Sequence, residues 1–170
     1  MIQSNRLQIR RTTGQDINFV LEAESDSENR QYVGQWNKEE HLQALSDPDI
    51  FHILLVSRDD QQKIGYAIIA GLENSNKSIE LMRLVVMEKG KGYGKEALNL
   101  IRDFCFQKLK AHRLWLDVRS NNPRAKYVYE QIGFIQEGVL RESVLYNGQF
   151  LSLIVMSILE NEYEDRSNGP

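Results

Sequence analysis

The decisive stretch reads Met87-Glu88-Lys89-Gly90-Lys91-Gly92-Tyr93-Gly94-Lys95-Glu96-Ala97. It leaves a strand candidate, Ser78 to Met87, and opens a helix on which Ala97, Leu98, Ile101, Phe104, Cys105 and Leu109 share one face. Gly90, Gly92 and Gly94 stand at alternate positions, so backbone amides there can approach a bulky ligand without a Cβ in the way. The helix N-terminus adds free N–H groups and positive potential, which suits an anion such as a pyrophosphate. Lys89, Lys91 and Lys95 concentrate positive charge in this segment, although the 170-residue chain has a formal net charge of −3. It is not a P-loop, because Gly94-Lys95 is followed by Glu96 and not by Ser or Thr. A dinucleotide fingerprint fails too, since Lys95 stands where a third glycine is needed. An anion cradle and a glycine-rich turn with solvated lysines remain as alternatives.

Outward from this stretch, strands and helices alternate. Leu7 and Ile9 alternate with polar neighbours as a first strand, and Thr13 with Asp16 marks a helix start before Ile17, Val20 and Leu21. A short helix is expected over Lys38 to Leu45. Three strands, Phe51 to Ser57, Lys63 to Ala70 and Ser78 to Met87, follow as an antiparallel meander. Arg113 to Arg119 returns to period two. Asn122 then Pro123 start a further helix, which Gly133 ends. Strands near Phe134 to Leu140 and Phe150 to Leu159 close the sheet. The fold class is α/β, with a mixed, mostly antiparallel sheet. Residues 1–160 are expected to form a single domain and 161–170 a polar tail that frays.

Composition narrows the function classes. With 21 Lys plus Arg against 24 Asp plus Glu, the chain lacks the basic excess of a general nucleic-acid binder. A single cysteine excludes an internal disulfide and a cysteine-rich zinc site, and the three histidines show no metal-ligand spacing, so no metal is expected. Met1 to Arg11 alternates and has no leader-like apolar core, and apolar runs such as Leu153 to Met156 are too short to span a bilayer. A soluble, cytoplasmic protein without membrane association is the expectation.

Lys89-Gly90-Lys91-Gly92-Tyr93-Gly94 resembles the acetyl-CoA pyrophosphate loop of the GNAT N-acetyltransferase superfamily, with Lys89 in place of the usual Arg or Gln. Asn122-Pro-Arg-Ala125, followed by Tyr129-Glu-Gln-Ile-Gly133-Phe134, resembles that superfamily's later motif, and both occur in the required order. The resemblance extends from the first strand to Leu159. The run Glu137 to Arg141 is most similar to the ribosomal-protein and small-amine acetyltransferase branch.

The resemblance implies an acyl-CoA N-acyltransferase fold, with roughly six to seven strands and about four helices. It also implies acetyl transfer from acetyl-CoA to a small primary amine: a polyamine, an amino acid or a drug-like amine. A protein N-terminus as acceptor, or a non-catalytic acyl-CoA sensor, are the alternatives, and a homodimer through the late strands is admitted. Tyr129 is implied as the acid that protonates the leaving thiolate, and Glu80 as the base that takes the amine proton. Strand alternation places Glu80, Met82 and Leu84 on one side unless a bulge intervenes. Leu84, Val85 and Val86 are implied to line the pantetheine arm, with a backbone N–H of Val85 or Val86 facing the oxyanion. Lys89, Gly90, Lys91, Gly92, Tyr93, Gly94 and Lys95 would hold the pyrophosphate, with Asn122 and Arg124 as further cofactor contacts. Glu28, Tyr32, Trp36 and Glu39 fall where the family shapes its acceptor pocket. Cys105 lies on an apolar helix face and is expected in the core.

Overall fold

The computed structural model describes residues 2–167, with side chains through 165. Its strands are β1 (Ile2–Gln3), β2 (Leu7–Arg11), β3 (Ile50–Ser57), β4 (Lys63–Ala70), β5 (Ser78–Val86), β6 (Arg113–Arg119), β7 (Ile135–Tyr146) and β8 (Gln149–Leu159). The helices are α1 (Ile17–Ser25), α2 (Lys38–Ala44), α3 (Tyr93–Asp103), α4 (Pro123–Ile132) and α5 (Glu160–Ser167). All eight strands form one sheet in the order β1-β2-β3-β4-β5-β6-β8-β7. The class is the expected mixed α/β. The extra strand, β1, has two residues, too few for a periodic signal.

The capping signals operate as their chemistry requires. Thr13 and Asp16 form a reciprocal capping box before α1. Asn37 and Glu40 do the same for α2. The Asn122 side chain accepts from the Ala125 N–H at 3.2 Å, Pro123 opens α4, and Gly133 ends it with φ of 116°.

Three local expectations are corrected. The helix over residues 93–109 is not uniform: residues 104–108 form a wide turn in which the Leu109 N–H donates to the Phe104 carbonyl at 3.1 Å. The seventh strand runs on to Tyr146, because Asn147 and Gly148, both at positive φ, make a tight hairpin into β8. The C-terminal segment does not fray at residue 161. It continues as α5, where Tyr163 stacks on Phe106 at 4.6 Å and accepts a hydrogen bond from Gln107; residues 168–170 lie outside the described residues.

The sheet is covered on both faces. Ala97, Leu98 and Ile101 of α3 pack with Leu7, Ile53, Leu81 and Leu114 on one face. Val20 and Ala23 of α1 pack with Leu54, Ile68 and Val85 on the other. Every neighbouring strand pair is antiparallel except β5 and β6, which are joined through α3 as a parallel crossover. That parallel pair is short. It holds only Ser78↔Arg113, Ile79↔Leu114 and Glu80↔Trp115, after which β6 stays with β8 and β5 with β4. The strands therefore part beyond Glu80 and Trp115.

A second irregularity lies beside this opening. Ile68 pairs with Arg83 but Ile69 pairs with Leu81, so Met82 is an extra residue in β5. This bulge overturns the expected alternation: Met82 packs on the α1 face while Leu84 packs on the α3 face. Gly65 lies against β5 further along, opposite Val86. A Cβ added there would stand 2.2 Å from the Val85 carbonyl oxygen. Gly65→Ala is therefore expected to destabilise the protein by about 2–3 kcal/mol through overpacking against backbone, read from urea unfolding midpoints. An unchanged midpoint would show that β5 shifts freely.

Candidate active site

The gap between the C-terminal halves of β5 and β6 opens into a cavity of about 660 Å³. Its walls come from β5 and β6, the segment after β5, the first turns of α3 and α4, and residues 28–34 between α1 and α2.

One end is an anion cradle. Gly90 and Gly92 both take φ of 79°, a left-handed conformation that favours glycine. Gly92 is the N-cap of α3 and supplies no side chain to the helix's first amides. A Cβ placed on Gly90 or Gly94 would meet no atom within 4 Å, so the space above these amides belongs to a ligand-sized void. The residues present fit the pyrophosphate of coenzyme A: bare amides, a helix N-terminus and cations at the rim. Lys89 reaches back to the Asn29 side chain. Burial lowers its pKa from the ordinary lysine value; Glu28 works against the shift and Arg124 adds to it. Lys89, Lys95 and Arg124 all line the cavity. The Lys91 side chain does not: it is exposed and pairs with Glu88 at 2.6 Å.

The cradle is tied down by residues the sequence did not single out. Arg6 donates to the Glu96 carboxylate from Nε at 2.9 Å and to the Lys91 carbonyl at 3.0 Å, and lies 4.9 Å from the Tyr93 ring centroid. Burial works against ionisation of Glu96, but hydrogen bonds from Ser4 and Arg6 outweigh it and hold its carboxyl below the ordinary value. The acidic residue in the first turn of α3 is thereby occupied by the N-terminal strands and turned from the anion site.

The middle of the cavity is lined by backbone. The Met87 N–H donates to the Ile64 carbonyl at 2.8 Å. Antiparallel alternation from that bond turns the Val85 N–H toward β4 and those of Leu84 and Val86 toward the opening. Of the two amides named for the oxyanion, that of Val86 is the one turned toward the opening.

Three titratable groups meet where the strands part. Tyr129 of α4 lines the cavity. Its phenol is pushed up to about 12 by burial and then by the charge of Asp117, so it keeps its proton throughout the neutral range. Asp117 of β6 lines the cavity as well, and burial raises its pKa despite Arg119. Glu80 stands back from the lining, at the last paired position of β5; burial and then Asp117 raise its pKa. Of the two carboxylates where the strands part, Asp117 lines the cavity and Glu80 does not. A period-two strand with Asp117 on its polar face resembles any half-exposed strand, and only the parting of β5 from β6 makes the position special.

Glu28 and Tyr32 line the cavity as expected of the acceptor side, whereas Trp36 and Glu39 do not. Trp36 instead covers Arg83. Cys105 is fully buried and its thiol is pushed up to about 12 by burial, which leaves it unreactive. Among the described residues, no three His, Cys, Asp or Glu side chains converge as metal ligands, and no helix is long and apolar enough to cross a membrane.

The comparisons agree with this geometry. Residues 6–135 match the acetyltransferase (GNAT) domain family. Spermidine N(1)-acetyltransferase of Vibrio cholerae is 33% identical over 112 residues, an alignment spanning 64% of this chain and 65% of that protein. Spermidine N(1)-acetyltransferase of Escherichia coli K12 is 24% identical over 172 residues, 96% of this chain and 91% of that one. The Vibrio cholerae enzyme solved with CoA and spermine superposes with a TM-score of 0.84 at 23% identity, covering 95% of this chain and 99% of that chain. The chain belongs to the GNAT acetyltransferase family. Its class is that of an acetyl-CoA-dependent N-acetyltransferase.

Proposed function

We propose that this chain acetylates a primary amine of a small molecule, polyamines being the class that the relatives' names bring forward. The observation that carries the reading is the single cavity that joins an anion cradle, Gly90 to Lys95, to a carboxylate and a phenol at the parted strands. Acetyl-CoA, when bound, supplies the thioester whose acetyl group is transferred. The cradle amides, Lys89, Lys95 and Arg124 hold its phosphates, and the Leu84–Val86 backbone lies along its arm. Asp117, backed by Glu80, takes the proton of the incoming ammonium, and the upward shift of its pKa is in the direction that task needs. The Val86 N–H supports the developing negative oxygen. Tyr129 gives its proton to the departing thiolate. Self-association through β7 and β8 belongs to the same reading, supported by exposed Leu140, Leu145 and Phe150.

The test is thiol release from acetyl-CoA across a panel of small amines that includes spermidine. Turnover with at least one amine supports the reading. A normal acetyl-CoA thermal shift with no turnover on any amine or peptide assigns the chain to acyl-CoA sensing instead. The acid limb of kcat is expected to lie above the ordinary carboxylate range, because protonated Asp117 cannot accept the amine proton. Asp117→Asn should lower kcat by about 100-fold or more and flatten that limb; an unchanged profile would place the base elsewhere.

A further inference from the structure

On the acceptor side of β5 a guanidinium is buried with donors to spare. Arg83 is 7% exposed and lines the cavity. Its guanidinium carbon lies 4.1 Å from the Trp36 ring centroid, and its Nη1 donates to the Glu24 carboxylate. Nη2 lies beside Gly34, where an added Cβ would stand only 3.2 Å away. Among the described residues, Glu24 is the acceptor within hydrogen-bond distance of this guanidinium, on Nη1, with the buried Tyr66 phenol nearby, and the residue as a whole lines the cavity.

The support behind this group is extensive. Glu24, 1% exposed, is also bonded to His41 at 2.6 Å and to the Trp36 N–H at 3.3 Å. His41 meets His52 at 3.2 Å, and His52 meets the Thr12 hydroxyl at 2.9 Å. Such a buried ion pair is poor value as a stabilising device, because the desolvation of both charges offsets their attraction. Four polar side chains held in series, Glu24, His41, His52 and Thr12, instead fix the orientation of one guanidinium at a cavity wall, which is how a recognition group is prepared. The planar fork of arginine matches a carboxylate through two parallel donors, and a polyamine has nothing to offer it. The charge pattern of the cavity agrees. Asp117 and Glu28 are suited to an ammonium, and Arg119, which donates to the Gln31 carbonyl at 2.9 Å, is a second cation lining the same cavity.

We propose that Arg83 receives a carboxylate of the acceptor, so that the preferred acceptor is an amino acid and not an amine lacking that group. This rests on the acetyl-transfer reading and narrows its acceptor class. The test uses matched pairs, each amino acid beside the amine that differs from it only by the carboxylate: lysine and cadaverine, ornithine and putrescine, phenylalanine and phenethylamine. Spermidine is the polyamine reference. The wild type should favour the amino acid of at least one pair, and spermidine should not exceed it, by about tenfold or more in kcat/KM. Arg83→Lys should raise KM for that amino acid about 10- to 100-fold with kcat nearly kept, and raise KM for the matched amine by a clearly smaller factor. Arg83→Gln should erase the preference; the acetyl-CoA thermal shift reports whether either variant remains folded. Equal or better turnover of the carboxylate-free amines by the wild type overturns the proposal and leaves the acetyl-transfer reading standing. Absence of amine-dependent thiol release with every amine and amino acid of the panel overturns both.

Discussion

Tyr129→Phe is expected to lower kcat by about 100- to 10,000-fold, the range for loss of a positioned general acid. Acetyl-CoA affinity should change little, because the cradle that binds the phosphates lies at the other end of the cavity. The reasoning starts from the proton. Burial and the Asp117 charge push the phenol up to about 12, so Tyr129 is fully protonated wherever the amine panel is assayed. A protonated phenol facing the cavity has a proton to give to a leaving thiolate, and phenylalanine keeps the ring that packs edge-on against Phe134 at 5.8 Å. The substitution therefore removes the acid and spares the packing. Steady-state kcat with isothermal titration of acetyl-CoA separates the two effects. Unchanged kcat would remove Tyr129 from the acid role.

Gly94→Asp should abolish cofactor binding in a protein that stays folded. Nothing lies within 4 Å of a Cβ at this position, and its φ is not in the left-handed region. Aspartate in the first turn of α3 is also favoured by the helix dipole. The fold therefore gains or loses little. The ligand meets a carboxylate where its own negative charge must sit. A like charge about 4 Å away costs roughly 4 kcal/mol at a near-surface dielectric, close to a thousandfold in Kd. Melting temperature without ligand should match the wild type, while the acetyl-CoA-induced shift disappears. A normal shift in this variant would overturn the cradle assignment.

Local signals were legible in the sequence because each acts within a few residues. The glycines at 90, 92 and 94 are read directly, as are Asn122 with Pro123 and the alternation of Leu114, Leu116 and Val118. Asn147-Gly148 was equally local and marks a hairpin, yet the strand before it was ended at Leu140. Glu24 falls seven residues after Ile17, on the stripe that faces the core, so a buried carboxylate in α1 was also open to reading.

What stayed hidden depends on residues far apart in the chain. Arg83 and Glu24 are 59 residues apart, and Arg6 and Glu96 are 90 apart. Lys91 was grouped with Lys89 and Lys95 because sequence proximity carries no direction, whereas the backbone sends it to Glu88 and solvent. Glu80 was implied as base by the family resemblance and its place on the strand leading into the glycine-rich loop. Its distance from the cavity front and the place of Asp117 there follow from how far β5 and β6 stay paired.

The sequence by itself determined the alternation of elements, the caps at the starts of α1 and α4, and the glycine-rich, lysine-bearing entry into α3 at residues 89–95, since these rest on local backbone preferences and side-chain period. Only the tertiary structure decided where β5 leaves β6, which side of the Met82 bulge each side chain takes, and which carboxylate and which guanidinium face the cavity. Those outcomes are set by strand register, and register is a relation between distant segments that no single segment encodes.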